Sequence, residues 1–381
     1  MRSSIIVRVG ALCVGMVVVG CGFSPGKPVS GSAGNSGNVG AAGVTGIGNF
    51  GGTTSGQGGL TGQGGNMGCA TFPKSSSKLP PDILIVLDAS GSMNEDSTNT
   101  ACGNQGCGAT SKWALMTPAI NMVVTDTQMD VNWGLKFFAD SGSCGVNNNA
   151  AVPIAGMTAT AIATSIMGRT SANGGVANGS STPTRAAENA AVTYLNGLAA
   201  TDQNPKFIVL ATDGQPNCPA SGSMSADDAP GAIAAVTAAA TAGIPTFVVG
   251  IATGGGTAET TLNSMAVAGG YPQAGAATQY YAVSDTAGFA SVLRTLVGKV
   301  TTCQFSIPTP PTTDGTTSRE DIQVTGGTGT PPDTAIAPDA TNGWTYTDNT
   351  HTSITLHGTS CDQVTAGTIT TVTIIFNCHI P

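Results

Sequence analysis

The stretch DILIVLDASGSM, residues 82–93, joins an apolar run to a cluster of oxygen-bearing side chains. The run is continuous rather than alternating, as in a strand buried on both faces of a parallel sheet. It stops on a carboxylate, Asp88, and hydroxyls follow at alternate positions, Ser90 and Ser92. Asp and Ser also serve ordinary turns. An ionisable residue is nevertheless an unusual way to end a core strand, and the question is what else the chain brings to that point.

Working outward, strand and helix patterns alternate. The segment 112–127 has helical apolar spacing, with Pro118 as a break or kink. A second strand covers 132–140, and AVPI (151–154) reads as an edge strand that tolerates Pro153. Helices are expected over 159–169 and 182–199, the latter with Thr182 as N-cap and Pro183 just inside. The stretch KFIVLATD (206–213) is another fully buried strand, again ending on a carboxylate, Asp213. An Ala-rich helix (227–243), a strand (244–252), a further helix, the strand TQYYAV and a last helix (285–300) follow. This order predicts an α/β fold, a doubly wound and mostly parallel sheet flanked by helices. Such sheets bind ligands beyond the carboxyl ends of their strands, which is where Asp88 and Asp213 fall.

Hard divalent cations take oxygen ligands and keep several waters. Ser90 and Ser92 can turn two hydroxyls toward one point, with Asp88 behind them and Asp213 arriving from a neighbouring strand end. Thr182, in SSTPT, brings a third hydroxyl, and Thr184 is its rival. Three neutral hydroxyls and two carboxylates hold a cation without saturating its charge. A carboxylate from a partner protein is then the natural sixth ligand. DASGS, TPT and ATDG, in this order, resemble the metal-ion-dependent adhesion site of the von Willebrand factor type A domain. The resemblance covers about 82–300 and implies Asp88, Ser90, Ser92, Thr182 and Asp213 as the metal set, Mg2+ (or Mn2+/Ca2+) as the ion, and capture of an acidic protein ligand. Glu95 and Asp96 read as solvated loop charges, DSGS (140–143) as a turn, and Asp227 and Asp228 as residues favouring a helix start.

The ends of the chain place it in a compartment. Residues 1–20 carry Arg2 and Arg8 around a short apolar run, as in a secretory signal peptide. That run closes on VVGC, which resembles the lipobox of bacterial lipoproteins, with Cys21 as the lipidated residue. Gly22 resembles the sorting signal of outer-membrane lipoproteins. From Cys21 to residue 68 the chain is Gly/Ser-rich and almost uncharged, a tether spanning on the order of 35–40 Å. The expected order is therefore leader (1–20), tether (21–68), an α/β domain (69–302) and a small Thr/Pro-rich all-β appendage (303–381). Of the ten cysteines, Cys69, Cys102, Cys107, Cys144, Cys218, Cys303, Cys361 and Cys378 remain for disulfides in an exported chain. Cys69 and Cys303 bracket the domain and are expected to pair, and a Cys361–Cys378 bridge would support the small appendage. Pairings among the other four are open.

Composition narrows the function. Charged residues are only 9% of the chain, against about 25% in an ordinary soluble domain. No Lys/Arg cluster suited to a phosphate backbone occurs. The favoured expectation is a cell-envelope lipoprotein that binds a protein ligand through its metal, without turnover. An envelope structural or assembly role, with the metal only stabilising loops, is the alternative. A metal-dependent hydrolase is the third class, and it lacks an obvious general base: the histidines are His351, His357 and His379, all in the tail.

Overall fold

The computed structural model describes residues 71–379, apart from 140–143, 178–179, 199–201, 301–302, 312–315, 331 and 348. The leader, Cys21, the tether, Cys69 and the DSGS turn lie outside the described residues. The chain divides into Met1–Gly65 and Asn66–Pro381.

Strand β1 (Phe72–Ser75) precedes β2 (Asp82–Asp88), all seven residues of which are buried. Helix α1 (Lys112–Thr127), β3 (Asn132–Phe138), the edge strand β4 (Val152–Ala155), α2 (Ala159–Arg169) and α3 (Thr184–Asn196) follow. Next come β5 (Lys206–Thr212), α4 (Ala229–Thr241), β6 (Thr246–Ile251), α5 (Gly256–Ala268), β7 (Tyr281–Val283) and α6 (Thr286–Val300). Strands β2 to β7 form a six-stranded sheet ordered β4-β3-β2-β5-β6-β7. All pairs are parallel except β3 with β4.

The pleat of β2 explains the two layers of helices. Ile83, Ile85 and Leu87 face one core with Trp113, Met116 and Ile120 of α1 and Phe289, Leu293 and Leu296 of α6. Leu84 and Val86 face the other, with Ala187 and Leu195 of α3, Val236 of α4 and Leu262 and Met265 of α5. Burying side chains of this size contributes about 1.5–3 kcal/mol each. Helix α1 runs unbroken through Pro118. Buried residues on both sides, Trp113 and Met116 before it and Ala119 and Ile120 after it, hold the helix against the lost backbone bond.

The C-terminal part builds two antiparallel sheets. Strands β8 (Gln304–Ser306), β9 (Thr316–Gly327), β10 (Thr334–Ile336), β11 (Trp344–Tyr346), β12 (Ser353–Leu356) and β13 (Thr371–His379) pair in the orders β1-β13-β9-β10 and β11-β12-β8. Phe305, Val324, Trp344, Ile354, Ile374 and Phe376 form their common core. Three expectations are corrected here. The region is not all-β, because α7 (Gly358–Thr365) interrupts it. Residues 72–75, expected with the α/β domain, join the C-terminal sheet, with Phe72 opposite Phe376. Cys303 pairs with Cys361, Cα atoms 5.5 Å apart, so neither Cys69–Cys303 nor Cys361–Cys378 forms. The cause is β-pairing: β8 lies against β12, and Leu356 donates its N–H to the Cys303 carbonyl at 2.8 Å. The chain then turns directly into α7, which carries Cys361 back over Cys303.

One buried acid in the core has no role at the strand ends. Glu188 of α3 is fully buried, accepts a hydrogen bond from the Thr246 hydroxyl through Oε1, and leaves Oε2 without a partner. Burial pushes its carboxyl from 4.5 up to about 7, the Thr246 bond pulling weakly the other way. Between those values the folded chain binds the extra proton, so stability falls as pH rises; the loss is absent well below 4.5 and complete above about 7. Glu188→Gln removes this dependence. Urea denaturation should show its advantage over the wild type growing by roughly 2 kcal/mol between pH 5 and pH 8. An advantage that does not change with pH would contradict the assignment.

Candidate metal centre

Strands β2 and β5 are neighbours in register, Leu87 opposite Ala211, so their next residues emerge side by side at the carboxyl end of the sheet. Asp88 is completely buried and Asp213 is 4% exposed. Asp88 Oδ1 accepts the Ser90 N–H at 2.8 Å, and Oδ2 accepts the Thr212 hydroxyl at 2.6 Å. The first bond folds the loop back on the strand end. A single 3-10 turn, Gly91–Asn94, then follows, with Met93 buried beneath it. This brings Ser92 beside Ser90, their hydroxyls 2.9 Å apart.

From Ser92 a polar chain crosses to β5. The Ser92 hydroxyl donates to Asp213 Oδ1 at 2.9 Å. Asp213 Oδ2 accepts from the Lys112 ammonium at 2.8 Å, and Lys112 also reaches Glu95 Oε2 at 3.3 Å. Burial, and next the charge of Asp213, push the Asp88 carboxyl up to about 7; the bonds from Thr212 and Ser90 pull it down.

The loop carrying Thr182 is laid against this cluster by a bond from the Gly91 N–H to the Ser180 carbonyl, 3.1 Å. Thr182 is buried but is not the expected N-cap. Helix α3 starts at Thr184, with Pro183 at the cap position and no side-chain cap bond. The Thr182 carbonyl instead accepts the N–H groups of Thr184 (2.8 Å) and Asn217 (3.0 Å), and its own N–H donates to Asn217 Oδ1 at 2.7 Å. The backbone thus meets the needs of the turn, and the Thr182 hydroxyl is not spent on a cap. Thr184 turns its hydroxyl to the Thr182 carbonyl at 3.4 Å.

The structure thus joins Ser90, Ser92 and Asp213 directly, backs Ser90 with Asp88, and sets the loop of Thr182 alongside. The donor set fits a hard divalent cation: oxygen atoms only, with two buried carboxylates, one of which, Asp213, is paired with the Lys112 ammonium. Three neighbours escaped the sequence reading. Thr212 and Asn217 orient Asp88 and Thr182, and both contacts exist only in the folded state. Lys112 had a signal: a cation in the first turn of a helix opposes the helix dipole. Glu95, expected as a solvated charge, is half-buried against Lys112. Asp96 is a turn residue, accepting from Thr98 and Thr100. Asp228 caps no N–H by its side chain and instead forms a two-pronged pair with Arg185, at 2.8 and 2.7 Å.

Two disulfides frame the rim, Cys102–Cys107 and Cys144–Cys218. The first closes a loop over a cavity of about 570 Å³, lined among others by Asn94, Glu95, Gly103 and Asn173. Asn94 fastens the far wall, exchanging two bonds with the Val176 backbone at 3.0 and 2.9 Å. The second disulfide anchors the residue after Asn217, where Cys218 holds a left-handed backbone at φ 66°.

The von Willebrand factor type A domain model matches residues 82–295, and the chain belongs to that family. Among solved structures, the PilB minor pilin from Streptococcus sanguinis is similar at 16% identity over 59% of this chain and 62% of that one, TM-score 0.43. The pilus adhesin SpaC from Lactobacillus rhamnosus GG, in its open conformation, matches at 14% over 81% of this chain and 40% of that one, TM-score 0.41. Proximal thread matrix protein 1 from the mussel byssus, with a zinc-occupied MIDAS motif, matches at 15% over 61% and 50%, TM-score 0.37. The chain thus spans less than two thirds of each of these proteins. No curated protein matches it.

Asn217→Ala removes the acceptor of a part-buried N–H at the Thr182 turn. It should cost about 1–2 kcal/mol in urea denaturation. Asp227→Ala loses only an exposed contact with Gln215 and should stay within about 0.5 kcal/mol of wild type.

Proposed function

We propose that this protein is a cell-envelope lipoprotein that binds a protein ligand through a divalent metal held at the carboxyl edge of its sheet. The observation that carries this reading is the arrangement of Ser90, Ser92 and Asp213, bonded to one another with Asp88 buried behind them. Ser90, Ser92 and Thr182 supply hydroxyls, and Asp88 and Asp213 supply charge. Magnesium suits such donors, with manganese and calcium as alternatives. Bound there, the ion would supply an electrophilic position for a carboxylate. The chain's own residues hold the donors in place and close the rim around the opening. Ligand class is set by charge: the partner offers an Asp or Glu side chain.

The lipid anchor rests on the leader and on Cys21 within VVGC. Among the described residues no helix is long and apolar enough to cross a membrane. A diacylglyceryl group at Cys21, followed by the Gly/Ser-rich tether, would hold the folded part at an outer-membrane surface.

A structural role in the envelope is the second reading. In it the metal only stabilises the loops at this edge, adding to the ties that Cys102–Cys107 and the Asn94 clasp already make. Thermal melts and ligand capture separate the two. Magnesium at a hundred times its dissociation constant should stabilise the fold by about 2.7 kcal/mol, and Ser90→Ala should abolish the gain. Pull-down from envelope extracts should recover a partner in magnesium and lose it in EDTA, in Ser90→Ala and in excess acetate. Stabilisation by magnesium without metal-dependent capture would favour the structural reading. Cys21→Ser should prevent incorporation of labelled palmitate; label retained in that variant would remove the anchor.

A further inference from the structure

Lys112 is the member of the cluster that metal binding by itself does not explain. Its side chain is 1% exposed, at the first position of α1, where the helix dipole disfavours a cation. What holds it there is charge: Asp213 at 2.8 Å and Glu95 at 3.3 Å. Ser92 takes the other Asp213 oxygen at 2.9 Å. Both oxygens of Asp213 are therefore engaged by groups of this chain. Pulling Asp213 away would leave a buried ammonium with only the half-exposed Glu95 as counter-ion, which is strongly unfavourable.

We propose that Lys112 is a built-in counter-cation that competes with the divalent ion for Asp213 and thereby sets the metal affinity. The inference rests on the metal-site reading above and adds to it the residue that tunes the site. An ion entering among Ser90, Ser92 and Thr182 meets neutral hydroxyls, while the charge of Asp213 is already compensated by Lys112. The ion keeps more of its own charge for an acidic group arriving from outside. Weaker retention of the metal accompanies that stronger pull. Glu95 sets the balance from the other side, since it draws the ammonium partly off Asp213.

Calorimetric titration of Mg2+ and Mn2+ into the metal-free full chain tests this, using wild type, Lys112→Gln, Lys112→Arg and Glu95→Gln. Thermal melting first shows that each variant is folded. The glutamine amide still donates to Asp213 but carries no charge. Lys112→Gln should bind the ions about ten- to a hundredfold more tightly. Lys112→Arg, which keeps the charge, should stay within about threefold of wild type, and Glu95→Gln should bind about tenfold more weakly. A folded Lys112→Gln with unchanged or weaker binding overturns the inference and leaves the metal site standing. If that variant does not fold, Glu95→Gln decides, and unchanged or tighter binding there overturns it. Absence of binding in wild type and every variant overturns the metal-site reading and this inference together. Binding in Lys112→Gln alone supports the counter-cation and overturns the adhesion reading for the native chain.

Discussion

Two carboxylates lie buried at adjacent strand ends, and buried charge is tolerated only when something answers it. At the ends of β2 and β5 the answers come from three places. A backbone N–H and a threonine hydroxyl hold Asp88, a serine hydroxyl reaches Asp213, and one ammonium serves Asp213 and Glu95. Each answer dictates a piece of architecture. The Ser90 N–H requires the sharp return of the loop after Asp88. The ammonium requires the first residue of α1 to sit directly over the sheet edge. The apolar face of α1 secures that position, because Trp113 and Met116 are fully buried just beyond Lys112. The site and the core are thus one construction.

The loops around this edge are long, and the chain has few charges with which to tie them. Amide side chains do much of that work. Asn94 links the first loop to Val176, Asn99 donates to the Ala252 carbonyl at 2.8 Å, and Asn217 clasps Thr182. An Asn side chain offers both donors and an acceptor, so it can substitute for a missing strand partner in either direction. Disulfides at Cys102–Cys107 and Cys144–Cys218 add covalent ties to the same rim.

The α/β layer structure was legible because its strands are short, continuous apolar runs between helical spacings. β2, β5 and β6 are buried throughout or nearly so, and the edge strand β4 carries the tolerated proline. Asp88, Ser90, Ser92 and Asp213 could be grouped because each sits at or just past the end of such a strand. What stayed hidden depends on contacts between distant segments. Lys112 meets Asp213 across 101 positions of sequence. Cys303 finds Cys361 only because β8 pairs with β12. Helix α7 has no apolar face of its own strong enough to read, with only Ser360 buried in it. Thr182 looked like a cap because residue preference describes helix starts on average, whereas here Asn217 meets the needs of the turn.

Strand β1 is the first strand of the described residues, yet it pairs with the last strand and not with the sheet that carries the site. Its four residues lie antiparallel to β13, Phe72 opposite Phe376 through Ser75 opposite Thr373. A pull on the chain upstream of residue 72 would load this strand before it reached β2. Detaching β1 would lengthen the lead without disturbing Asp88 or its neighbours. The C-terminal sheet would then take up the first extension, ahead of the strand ends that carry Asp88 and Asp213.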